Sequence, residues 1–210
     1  MTDSQSLRRG VILAIIVDKV QKKKDIALSC KALFLAKGIQ KITIAEIAKT
    51  AGVGKGTIYE YFQNKEEILF ALVNILMQEH DTKKQIKLQN AVTTKEQIKI
   101  FTDFFYEDAC EELRLLYKRF LSINLMDPNE QIIEFHTLSY NKYFTWFKEI
   151  IQKGIDTKEL IPESIHLAKG LFVVGEGLFL AQELTNNEND IKEELNDFIE
   201  TLFKLIEVKK

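Results

Sequence analysis

Apolar residues recur along this chain at steps of three and four, the spacing that lines one face of an α-helix. Ile26, Cys30, Leu33 and Phe34 predict a helix over Asp25–Lys37, stopped by Gly38 after a lysine. Thr43 and Glu46 form a capping-box pair, so a helix starts at Ile44 with Ile44, Ile47 and Ala48 inward. It ends at Ala51-Gly52-Val53, where glycine accepts a positive φ without a Cβ clash. A second short helix, from Gly54 or Lys55 to Phe62, buries Val53, Ile58 and Phe62 and turns Lys55, Thr57, Tyr59, Glu60 and Tyr61 outward. Asn64, with Glu67 as capping-box partner, opens a longer helix from Lys65 to about His80 whose inner face is Ile68, Leu69, Leu72, Val73 and Leu76.

The remainder continues in helical rhythm. Residues 81–93, mostly polar, are expected to hold the end of that helix and a loop, followed by a helix capped by Thr94 and running to about Cys110, another from Glu111 to Met126 stopped by Asp127-Pro128, and a long aromatic one from Asn129 to Lys153 closed by Gly154. Pro162 suits the first turn of the helix that follows, Glu163 to Leu184, which is apolar on two sides and needs two partners. The last helix, about Glu188 to Val208, carries a seam of Ile191, Leu195, Phe198, Leu202 and Leu205. With two prolines, nine glycines and long runs of good helix formers, the expectation is an all-α protein: an N-terminal extension over 1–24, a three-helix unit with its connecting helix over 25–80, and a helical domain over 81–210.

Composition adds direction. The 210 residues are 46% apolar and 29% charged, enough for a sizeable core, and the net charge is −2. Charge is uneven: residues 1–80 hold 12 Lys and Arg against 8 Asp and Glu, and residues 81–210 hold 17 against 23. Only the first part suits an anionic partner. Cys30 and Cys110 read as buried thiols of a reducing cytoplasm, and His80, His136 and His166 stand too far apart for a metal site. No metal, cofactor or catalytic set is expected, and so no enzyme. The apolar run Val11–Val17 is too short for a membrane span. The extension reads either as an extra helix packed on its neighbours or as an arm that meets the anionic partner through Arg8, Arg9 and Lys22 to Lys24.

Helix, glycine turn, helix is the layout of the helix-turn-helix, whose second helix enters the major groove of DNA. On spacing alone it is equally the capped helix pair of any all-α protein. The run G-K-G-T-I-Y-E-Y-F-Q-N-K-E-E-I-L, however, closely resembles the DNA-binding core of the TetR family of bacterial repressors. The resemblance is strong over roughly residues 25–75. It implies that Thr43, Lys55, Gly56, Thr57, Tyr59, Tyr61 and Lys65 lie at the face that meets double-stranded DNA. Glu60 departs from the family pattern; a carboxylate there repels phosphates unless it accepts from a cytosine amino group. The resemblance further implies a dimeric, cytoplasmic regulator released from a palindromic operator by a small ligand.

Aromatic density between Phe101 and Phe147 suits an apolar or aromatic ligand. Candidate lining residues are Phe105, Tyr106, Tyr117, Phe120, Asn124, His136, Tyr140, Tyr143 and Trp146, any of which is also an ordinary core position. Two adjacent, broadly apolar C-terminal helices read as half of a four-helix interface in a homodimer, with Leu171, Gly175, Leu178, Phe179, Leu195, Phe198 and Leu202 as candidate interface residues. The other reading of the chain is a helical small-molecule or lipid carrier that controls no gene.

Overall fold

The computed structural model describes residues 18–126, 130–185 and 189–209, with backbone alone at Asn124 and Met126. Arg8, Arg9, the run Val11–Val17 and the Asp127-Pro128 stop lie outside the described residues. Within them there is no strand, only one isolated antiparallel bridge between Leu160 and Glu207. The chain divides into two compact units, one formed by residues up to Glu79 with Leu115–Ile123, the other by His80–Arg114 and the residues from 124 onward.

The first unit begins with α1 (residues 18–29), which passes through Cys30 in right-handed helical geometry into α2 (Lys31–Lys37). The helix thus starts at least seven residues before the expected Asp25. Then come a 3-10 turn (Ile39–Lys41), α3 (Ile44–Ala51), α4 (Lys55–Tyr61) and the first part of α5 (Lys65–Asn90). Ile26, Phe34, Ile47, Ile58, Phe62 and Leu69 meet in one core, each almost wholly buried, and each such side chain stabilises the fold by roughly 1.5–3 kcal/mol. The middle of α7 (Glu111–Met126) completes this unit: Phe120 packs edge-on against Phe70, and Arg119 Nη2 donates to Leu35 O at 2.9 Å near the end of α2.

The second unit holds the end of α5, α6 (Thr94–Thr102), two 3-10 turns (Asp103–Phe105 and Asp108–Cys110), α8 (Glu130–Asp156), a 3-10 segment (Pro162–Leu167), α9 (Ala168–Leu184) and α10 (Ile191–Ile206). Its core joins Ile98, Phe101, Phe147, Ile151, Leu171, Ile199 and Phe203.

Further boundaries differ from expectation for physical reasons. α5 runs on to Asn90, leaving only residues 91–93 between helices, because Asp81, Lys84 and Leu88, one turn apart, continue its buried face. Thr93, one residue before Thr94, is the cap of α6, its hydroxyl accepting from Glu96 N while the Glu96 carboxylate accepts from Thr93 N. α6 ends at Thr102 and gives way to tight turns before Cys110. Gly154 does not close α8 but lies buried inside it, where a Cβ would come within 2.5 Å of Thr94 Oγ1. Close packing, not chain reversal, asks for glycine there. The reversal falls at Lys158, the one described non-glycine residue with positive φ, at 61°.

Candidate nucleic-acid interface and effector region

The helix-turn-helix is built by local chemistry. Thr43 Oγ1 accepts from Glu46 N at 3.3 Å and the Glu46 carboxylate accepts from Thr43 N at 2.9 Å, closing the start of α3. Lys37 also donates to this carboxylate, and that bond, ahead of those from Thr43, holds its pKa down at about 2. Gly52 ends α3 in left-handed geometry at φ 65°, ψ 31°, with its N–H returned to Ala48 O and Lys49 O. Gly54 precedes α4, and Ile58 and Phe62 anchor that helix from below.

What α4 turns outward is a polar, aromatic and cationic surface. Lys55, Gly56, Tyr59 and Glu60 are exposed, Tyr59 by 60%, while Thr57 and Tyr61 are half-buried at its edges. A Cβ built on Gly54 or Gly56 would meet nothing within 4 Å, so the fold itself does not require glycine at either position. Glycine there leaves the helix surface low, which permits close backbone approach by a partner.

At the next helix start, Asn64 Oδ1 accepts from Glu67 N, and Glu67 accepts from Gln63 N, not from Asn64 N as a strict capping box would have it. Lys65 Nζ donates to Ile42 O at 3.2 Å, which ties it across the motif. Thr43 and Lys65 therefore also serve the motif's own geometry. Lys55, Thr57, Tyr59, Glu60 and Tyr61 share α4.

The candidate ligand-lining residues fall in both units. Tyr117 and Phe120 belong to the first unit, Phe120 being part of its core against Phe70, because α7 is shared between the units. The Asn124 side chain lies outside those described. The other candidates fall in the second unit, in separate groups. Phe105 packs on Phe104, Phe179 and Gly175, where a Cβ would come within 2.6 Å of its ring. Tyr106 donates to Lys99 O at 3.4 Å, a long bond. Tyr140 stacks on Phe144 and meets Phe172 edge-on, in the same aromatic cluster as Phe101, Phe147 and Trp146. His136 is half-buried, and burial pushes its pKa down against the pull of Glu176. Trp146 forms one wall of an open groove of about 310 Å³ whose other walls include Gln85, Gln89, Gln97, Glu149 and Lys153.

Tyr143 belongs to a buried polar network that hydrophobic periodicity did not reveal. Asp81 Oδ2 accepts from Lys142 Nζ at 2.6 Å and from Tyr143 OH at 3.0 Å. Lys84, 5% exposed, donates to Phe101 O at 2.9 Å and lies 3.6 Å from Asp103 Oδ1, while Asp103 Oδ2 takes Lys87 Nζ at 2.8 Å. His80 Nδ1 lies 3.4 Å from Cys110 Sγ. Burial and then Lys84 lower the His80 pKa, outweighing Asp103 at 3.8 Å and Asp81. Burial likewise raises the Cys110 thiol pKa. The residue types were visible in the sequence; their inward direction was not.

The C-terminal candidates split between two faces. Leu171, Gly175, Phe179 and Leu195 are buried within their own unit and are therefore unavailable to a partner. Their helical phase points them at Phe105 and the core. On α9 the opposite phase presents Val173, Gly177 and Leu184; on α10 Phe198 and Leu205, 39% and 73% exposed, flank the buried stripe, while Leu178 and Leu202 are half-buried and Leu202 packs against the unit's own core.

Residues 30–72 match the family model described as bacterial regulatory proteins, tetR family. The chain is 36% identical over 61 residues to the HTH-type transcriptional regulator TtgR of Pseudomonas putida, a stretch covering 29% of each chain. Under a third of the length of the first curated relatives is spanned by such matches. In fold, a transcriptional regulator of Saccharomonospora viridis solved with choline superimposes with TM-score 0.73 at 18% identity, over 90% of this chain and 100% of that one. The regulator FadR of Bacillus subtilis solved with stearoyl-CoA gives 0.66 at 21% identity, over 85% and 96%.

Proposed function

We propose, for a chain whose N-terminal unit is that of the TetR family, that it is a DNA-binding transcriptional regulator. The observation that carries this reading is α4: a short helix set by the glycine turn, with Lys55, Thr57 and Tyr59 outward and two glycines the fold does not need. In this role Lys55 and Tyr59 bind phosphate and fix register, while Thr57 and Glu60 reach base edges. Thr43 and Lys65 hold the motif in shape and border the same contact.

The regulator acts as a homodimer that represses from a palindromic operator. Its interface is the outward phase of α9 with the exposed flank of α10, chiefly Val173, Phe198 and Leu205, supported by the apolar exposure of those residues. The span Pro162–Leu184 is long and apolar enough to cross a membrane, but only 28% of its most apolar stretch is buried in the single chain. We assign that exposure to a second copy rather than to lipid. The α-helical part, α9, has 17 residues, about 26 Å of rise against a hydrocarbon thickness of about 30 Å, and it carries Lys169, Glu176 and Glu183.

A small effector held by the second unit shifts the population away from the DNA-competent arrangement. Support comes from the aromatic cluster around Tyr140, Phe172 and Trp146 and from two fold neighbours solved with small molecules, choline and stearoyl-CoA. The cluster favours an apolar or aromatic effector.

Selection from a random duplex pool with the purified protein tests the reading. The expected product is an inverted repeat whose half-sites lie about one helical turn apart, or a multiple of it. Recovery of no shared sequence after several rounds would contradict it and favour a carrier.

A further inference from the structure

The end of α5 places Gln85, Leu88 and Gln89 on one face, and α8 places Trp146, Glu149, Ile150 and Lys153 on one of its own. At such spacing a helix usually offers its neighbour an apolar stripe. Here only Leu88 and Ile150 are buried, at 8% and 6% exposure, and they floor the open groove of about 310 Å³. Trp146 is half-buried and forms the one aromatic wall, set edge-on against Phe101 of the core. Gln97 of α6 joins the lining and donates from Nε2 to Leu88 O at 3.4 Å, which ties α6 to the end of α5. All of these residues belong to the second unit.

The rim selects a ligand class. A carboxamide both donates and accepts, as a hydroxyl does, and Gln85, Gln89 and Gln97 supply three of them from two helices. Among the described residues, the Gln85 and Gln89 side chains and the Trp146 indole N–H take part in no hydrogen bond, so their donors and acceptors are open to a ligand. Glu149 and Lys153, four residues apart on α8, offset one another, so the rim has no net charge with which to hold a phosphate or a carboxylate. Pockets for drug-like molecules are mostly apolar and span about 300–1,000 Å³; this groove is polar and stands at the small end.

We propose that the groove binds a neutral mono- or disaccharide. The C–H face of a pyranose ring lies on Trp146 above the floor of Leu88 and Ile150, and the ring hydroxyls pair with the three carboxamides and, at the rim, with Glu149 and Lys153. The site shares Trp146 with the aromatic cluster assigned above to an apolar effector, but it takes a different class of ligand. It does not depend on the DNA-binding reading.

Trp146 is the single tryptophan of the chain, so its emission reports on this wall directly. The full chain is titrated with glucose, galactose, maltose and cellobiose, with sorbitol as an acyclic polyol and decanoate as an apolar probe, and heats are followed by calorimetry in parallel. At least one cyclic sugar should shift the emission saturably with a Kd of about 1 mM or tighter, and sorbitol should not saturate. Gln85→Ala/Gln89→Ala, which changes two exposed side chains, should weaken that binding by about tenfold or more, since two hydrogen-bonding partners are lost. Asn141→Ala, exposed on α8 but outside the groove, should bind as wild type. Circular dichroism confirms that both variants are folded. No saturation by any of the four sugars overturns the proposal, as does an equal response to sorbitol or undiminished binding by the Gln85→Ala/Gln89→Ala variant. Saturation by decanoate alone gives the groove to an apolar ligand and overturns it as well. Failure on any of these counts leaves the DNA-binding reading standing.

Discussion

Thr43 shows how a single side chain sets the motif. Its hydroxyl satisfies an otherwise free N–H at the start of α3, and its own N–H is taken by Glu46. Thr43→Ala should lower stability by about 1 kcal/mol, the ordinary value of an N-cap, measured by urea denaturation. Glu46 carries the pH dependence of the same corner. Its folded pKa, about 2, lies below the ordinary 4.5, so its contribution is complete above pH 4.5 and is lost as pH falls towards 2. Glu46→Gln should flatten the stability profile in that window; an unchanged profile would assign the acid sensitivity elsewhere. Gly56 is different in kind. No neighbour within the fold demands a glycine there, which suits the close approach proposed for α4.

At the scale of elements, the buried ionic face of α5 sets the second unit apart from a plain helical bundle. The His80 pKa is held down mainly by burial, with Lys84 next and Asp103 and Asp81 opposing. With its folded pKa below the ordinary 6.5, it must be charged on unfolding in mild acid, so stability is full above pH 6.5 and declines below it. His80→Gln should lose less stability than wild type between pH 7 and 5, followed through Trp146, the single tryptophan, which lies in the second unit. Equal losses would remove His80 from the account. The same face explains what periodicity missed. Capping and turn chemistry are local, so Thr43, Gly52 and Asn64 could be read directly. The inward turn of Asp81, Lys84 and Asp103 depends on partners up to 62 residues away, and their charges read as solvent-facing. The C-terminal helices differ for a related reason: α9 is apolar on both phases and the apolar stripe of α10 is broad, so only packing distinguishes Leu195, inside, from Phe198, on the exposed flank. The divided ligand candidates follow from α7 serving both units, which its amphipathic pattern does not disclose.

For the whole molecule, the proposed dimer is what turns two short recognition helices into a reader of an extended site. Phe198→Glu/Leu205→Glu places carboxylates on the exposed seam and spares the buried residues. It should give a monomer by sedimentation and weaken operator binding by at least 100-fold at nanomolar protein, since two half-sites no longer bind together. A variant that stays dimeric would move the interface elsewhere. The central claim is specific DNA recognition by α4, and the most direct measurement is an anisotropy titration of the purified protein against its selected duplex and against unrelated DNA at two salt concentrations. The account predicts a preference of about 10³-fold or more that survives at the higher salt and collapses in a Thr57→Ala/Tyr59→Ala variant. Equal binding to both duplexes that vanishes with salt would contradict it, because electrostatics alone would then account for the association.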